Sequence, residues 1–152
     1  MNNFEIFKLK KLHVPNHRIQ KIAEHYLEHG QSMTANQMAK IGEIPNSYYF
    51  NERYHRLDLE KLREEFNRFP SISILDDIFP QALKEIYDTP VQLFYQGNLD
   101  LLSLPKMAVV GSRDASDSGI QSVRKIIREL NNQFVIVSGL ARGIDTAAHL
   151  AS

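Results

Sequence analysis

MAVVGSRDASDSGIQSVRKIIRELNNQFVIVSGLARGIDTAAHLA, residues 107–151, decides the fold. MAVV (107–110) is a short apolar run of the kind that forms a buried parallel strand. The loop GSRDASDSG (111–119) follows it, polar and bounded by glycine. Ile120, Val123, Ile126, Ile127 and Leu130 then recur at the spacing of one helix face, and Asn131-Asn132 is expected to end that helix. FVIVSG (134–139) repeats the strand, LARGID (140–145) repeats the loop, and TAAHLA starts a second helix. This order predicts the opening of a doubly wound, Rossmann-like parallel sheet. Ile144, Ala147, Ala148 and Ala151 keep helical spacing up to Ser152, so the chain is expected to stop inside a helix. Two strands, with VQLFY (91–95) as a possible third, fall short of the roughly 4–6 strands usual in a sheet. A truncated part of a larger domain is the expectation.

Upstream the texture changes. Residues 1–70 read as four or five short helices. Asn16 is a candidate N-cap for a helix whose apolar face is Ile19, Ile22, Ala23, Tyr26 and Leu27, with Gly30 as its stop. Thr34 is placed to cap a short helix through Met38 and Ala39 that ends near Gly42. Pro45 opens the next, and Asp58 is placed to cap LEKLREEFNRF. Beyond Pro70, SISIL (71–75) is a short alternating run, Pro80 starts a helical turn or two, and VQLFYQG (91–97) is a strand before a Gly97-Asn98 turn. The expected division is a small helical domain over 1–70 and an incomplete α/β domain over 71–152.

Composition narrows the function classes. The chain has 152 residues, 18 Lys+Arg against 18 Asp+Glu, 43% hydrophobic residues and no cysteine. That balance excludes disorder, disulfides and a thiolate metal site. No apolar run approaches the ~20 residues of a membrane span, and no signal peptide opens the chain, so a cytoplasmic protein is expected. Residues 1–70 carry 11 basic and nine acidic side chains, residues 71–103 one and five, and residues 104–152 six and four. This is no bulk polycation, so any nucleic-acid contact must come through a local site.

Two loops hold the residues able to make one. Gly111, Ser112 and Arg113 follow the first strand, at the sheet edge where open α/β folds bind ligands. Gly111 lets a ligand approach the backbone, Ser112 offers a hydroxyl, and Arg113 offers a fork for phosphate oxygens ahead of a helix N-terminus. Dinucleotide and P-loop spacings are both absent. The spacing leaves an anion cradle and a plain glycine turn with a solvated arginine equally open. Ser138, Gly139 and Arg142 occupy the equivalent loop after the second strand. Asp145 is expected to offset the next helix dipole or cap it, and its i, i+4 relation to His149 allows a structural pair. His25 and His29 share metal-ligand spacing without a supporting carboxylate and read as surface residues. Tyr48, Tyr49, Phe50 and Tyr54 suit base stacking, but more commonly form the core of a small helical domain.

VVGSRDASDSG followed by VIVSGLARGIDTAAH resembles the DNA-processing protein A family (DprA, also called Smf). FPSISILDDIFPQALKEIYDTPVQLFYQGN resembles that family's lead-in, and the helical N-terminus resembles its SAM-like domain. The resemblance implies a role in natural transformation: binding incoming single-stranded DNA and loading the RecA recombinase onto it, with no enzymatic step, catalytic residue, metal or cofactor. It implies that the DNA lies in a positive pocket at the C-terminal edge of the sheet. The family motifs fall on Gly111, Ser112 and Arg113, with Arg113 on phosphate, and on Ser138, Gly139 and Arg142. A homodimer is also implied, although the family's dimer contact and further basic pocket residues belong to a region expected to be missing here. The alternative is a nucleoside-monophosphate phosphoribohydrolase-like enzyme of the same superfamily, holding a 5′-phosphate on the same Gly-Ser-Arg loop. Its P-G-G-x-G-T motif does not occur in the chain. A third reading makes residues 1–70 a protein-interaction module.

Overall fold

The structure, a computed structural model, describes residues 1–130 and 133–152, and Asn131-Asn132 lie outside the described residues. It is a mixed α/β chain that forms two compact units, Met1–Gly97 and Asn98–Ser152.

The first unit opens with five helices: α1 (Asn3–Lys11), α2 (Asn16–His29), α3 (Ala35–Ile41), α4 (Ser47–His55) and α5 (Leu59–Phe66). Their ends follow the expected chemistry in most places. Thr34 and Gln37 form a reciprocal capping box on α3, and the Asp58 carboxylate accepts from the Lys61 amide at the start of α5. Gly30 closes α2 in the left-handed conformation. The predicted Asn16 cap is corrected. Pro15 precedes the helix with φ −60°, and Asn16 is the first helical residue. Its side chain instead accepts from Lys10 Nζ and donates to Asp88. The cap of α4 is Asn46, whose side chain accepts from the Tyr49 amide.

α1 is buried on most of its circumference, through Phe4, Ile6, Phe7, Lys8 and Leu9. Ile6, Leu9, Ile19, Ile22 and Ala23 are fully buried. Each large aliphatic side chain so buried contributes about 1.5–3 kcal/mol of transfer free energy. Tyr54 is tied into this core: its hydroxyl donates to Glu5 at 2.6 Å and accepts from Lys8 Nζ at 2.8 Å. The aromatic cluster therefore divides. Phe50 is core, Tyr54 is paired, and Tyr48 and Tyr49 are exposed.

After Pro70 come β1 (Ser71–Ser73), α6 (Gln81–Lys84) and β2 (Gln92–Phe94). β1 and β2 pair antiparallel, Ile72 opposite Leu93. The VQLFY strand thus belongs to its own small sheet and adds nothing to the parallel one. This pair packs with the helices. Phe94 lies 5.7 Å from Phe7 and 6.1 Å from Phe66, ring centre to ring centre. Asn3 donates to Asp76 and to the Ser71 carbonyl, and accepts from the buried Ser73 hydroxyl.

In the second unit a 3-10 turn (Leu99–Ser103) leads into β3 (Lys106–Ala108), α7 (Asp117–Glu129), β4 (Val135–Val137) and α8 (Ile144–His149). β3 and β4 are parallel, with Met107 opposite Ile136. The predicted Rossmann-like opening is present. Ile127 of the α7 apolar face is buried and Ile126 is half exposed. α8 runs to His149, and the Leu150 amide continues its ladder by donating to the Thr146 carbonyl at 3.0 Å.

Candidate nucleic-acid interface

Parallel pairing sends both loops out of the same end of β3 and β4. The ladder continues one step past the strands, where the Val109 amide donates to the Val137 carbonyl at 3.0 Å. The Ser138 hydroxyl then donates to the Val109 carbonyl at 2.6 Å, fastening the two strand ends together.

Beyond that point the loops are locked backbone to backbone. The Ile144 amide donates to the Ser112 carbonyl at 3.2 Å. Gly143 has φ 87° and ψ −126°. A Cβ there would stand 2.2 Å from the Ser112 oxygen and 2.7 Å from the Arg113 oxygen. A Cβ on Gly111 would stand 2.7 Å from Ile144 Cγ1. Only glycine at these two positions allows the approach. The second loop is also held from below, since the Thr146 amide and hydroxyl both donate to the Ala141 carbonyl.

The six residues singled out from sequence are brought to one edge, in different states. Gly111 and Gly143 make the interlock. The Ser112 hydroxyl accepts from the Asp114 amide at 3.1 Å, folding the loop on itself. Ser138 ties the strands. Gly139 lies over Asp145, whose Oδ2 would stand 3.2 Å from a Cβ there. Arg113 is exposed and enters no ion pair among the described residues. Arg142 is already engaged: its guanidinium meets the Asp114 carboxylate at 2.6 Å across the two loops.

Other expectations change. Ser116 caps α7 by accepting from the Gly119 amide, and Asp117 stands in the first turn. The α7 start is therefore satisfied by its own chain, and it lies several residues beyond Arg113. Asp145 is buried in the first turn of α8, where it offsets the dipole, but it makes no cap hydrogen bond. It does not pair with His149, whose Nε2 faces the Ser138 carbonyl at 3.4 Å. His25 and His29 stack with ring centres 4.1 Å apart, and His29 Nδ1 lies 2.9 Å from the His25 carbonyl. Among the described residues no group of three His, Asp or Glu is placed to hold a metal. The sequence reading does not single out Asp114. An acidic residue directly after a candidate phosphate arginine is the signal that marks it.

Residues 71–152 match the family model for DNA recombination-mediator protein A. The chain belongs to that family. Residues 1–62 match the sterile alpha motif domain of DNA processing protein A, which agrees with the SAM-like reading of the helices. The chain is 52% identical over its whole length to the DNA processing protein DprA of Streptococcus pneumoniae, of which it covers 54%. It is 43% identical over 84 residues to the DprA of Bacillus subtilis, covering 28% of that protein. The X-ray structure of DNA processing protein A from Streptococcus pneumoniae superimposes with a TM-score of 0.91, over 99% of this chain and 53% of that one. The chain thus spans about half the length of the Streptococcus pneumoniae protein and less than a third of the Bacillus subtilis one. Among the described residues no helix is long and apolar enough to cross a membrane.

Proposed function

We propose that the two interlocked loops bind the sugar-phosphate backbone of single-stranded DNA, in a protein that receives incoming DNA during transformation and helps load RecA onto it. The observation that carries the reading is the pairing of the Gly111–Gly143 interlock with the exposed Arg113. The interlock fixes the two loops against each other, and Arg113 stands exposed beside it with two parallel N–H donors to offer a backbone phosphate. Gly111, Ser112, Arg113, Ser138, Gly139 and Arg142 form the proposed contact set. Contacts of this kind hold a strand without reading its sequence. Membership in a recombination-mediator family supports DNA as the ligand.

A binding role without catalysis is part of the proposal. The Ser138 hydroxyl proton is spent on the Val109 carbonyl, whereas Ser112 accepts from the Asp114 amide and keeps its own proton to donate to a phosphate. His149 faces a carbonyl rather than a hydroxyl. We further propose cytoplasmic action, homodimerisation of the whole protein, and a module boundary near Pro70, between the two family matches.

The test is fluorescence anisotropy with a labelled oligo-dT at low and high salt, using the chain and its Arg113→Ala variant. Binding that weakens with salt and with the substitution supports the reading. A folded chain that ignores oligo-dT but binds a nucleoside monophosphate would redirect the site to the phosphoribohydrolase-like alternative.

A further inference from the structure

Arg142 and Asp114 come from different loops, yet their charged groups meet at 2.6 Å. Both side chains are largely in water, 74% and 82% exposed. Their backbones are fixed. Asp114 is fastened through its amide to Ser112, and Arg142 sits between the Ala141 carbonyl, which holds Thr146, and the Gly143 interlock. The side chains are therefore free to part while the loops stay in place.

We propose that Asp114 occupies Arg142 in place of a phosphate, so that a nucleic-acid backbone must displace the carboxylate before it gains this second arginine. The inference rests on the single-stranded DNA reading of the same loops. A carboxylate and a phosphodiester present the same chemistry to a guanidinium: two anionic oxygens at the spacing of its fork. An exposed ion pair is weak, so the exchange is cheap enough to occur and costly enough to register in affinity. Arg113, a neighbour of Asp114 in sequence, has no such competitor among the described ion pairs and makes the first contact. Asp114 thereby sets how many phosphates the edge holds and how readily it releases them. It is a positioning residue, acting through Arg142.

The experiment is a double-mutant cycle on oligo-dT affinity at low salt, comprising the wild type, Asp114→Asn, Arg142→Gln and the double variant, with Arg113→Ala alongside. Circular dichroism and thermal unfolding establish that each chain is folded. Asp114→Asn should tighten binding roughly two- to fivefold, the range an exposed pair supports. In the Arg142→Gln background that gain should shrink to the small effect of removing one negative charge. An equal gain in both backgrounds would mean bulk charge alone and overturn the inference, while leaving the Arg113 result to support the DNA reading. If no chain binds, Asp114→Asn included, the DNA reading and this inference fall together.

Discussion

The Gly143 α-carbon lies so close to the Ser112 carbonyl that a methyl group there would sit 2.2 Å from the oxygen. Its φ of 87° would also strain any L side chain. Gly143→Ala must therefore part the loops or unfold α8. The expected loss is at least about 1–3 kcal/mol, concentrated in the second unit. Urea unfolding, read beside amide shifts for residues 111–113 and 139–147, checks it. A chain of unchanged stability with unmoved loop amides would contradict the interlock.

Gly111 faces the same contact from the other side. Its added Cβ would meet Ile144 Cγ1 at 2.7 Å and Ile144 Cβ at 2.8 Å. Gly111→Ala is expected to cost about 1–3 kcal/mol by overpacking. Ile144→Ala in the same chain should recover part of that, since it removes Cγ1 but leaves the Cβ contact. No recovery in thermal unfolding would place the clash elsewhere.

That both loops leave one sheet edge is legible in the sequence, because a strand–helix–strand crossover ordinarily joins two parallel strands. Caps are legible for the same local reason: Thr34, Asp58 and Gly30 each satisfy backbone groups within a few residues. What the sequence hides is non-local. The pairing of VQLFY with SISIL depends on Phe94 finding Phe7 and Phe66, which no periodicity encodes. The Asp114–Arg142 contact spans 28 positions and joins two loops with no pattern of their own. Asn16 misleads because a good capping side chain follows a proline already set at the right φ, leaving Pro15 to hold the cap position.

Tyr54 links the Glu5 carboxylate and Lys8 Nζ inside the first unit. Burial, then the hydrogen bond and charge of Glu5, hold its phenol above the ordinary value of 10.0. The folded chain therefore keeps this proton more tightly than the unfolded chain. The stability from that difference is complete below about pH 10 and is lost as pH rises from there toward the folded value. Tyr54→Phe should cost about 1 kcal/mol near neutrality, by stripping Lys8 and Glu5 of a shared partner. The gap between the two chains should narrow above about pH 10. Urea midpoints on either side of that pH measure it. A constant gap would show that the hydroxyl titrates as it does in the unfolded chain.

Salt dependence separates a phosphate contact from general charge. Each phosphate neutralised on a single strand adds about 0.7 to the slope of log affinity against log salt. Arg113 stands at the loop edge, whereas Lys106 lies at the opposite end of β3 with its Nζ donating to the Leu102 and Leu104 carbonyls. Both substitutions remove one positive charge from the same unit. Arg113→Ala should flatten the slope by about 0.7 and weaken binding alike across oligonucleotide sequences. Lys106→Gln should leave the slope where it is. Equal flattening by both would mean that the strand is drawn by the overall field of the unit, and that no phosphate sits on Arg113.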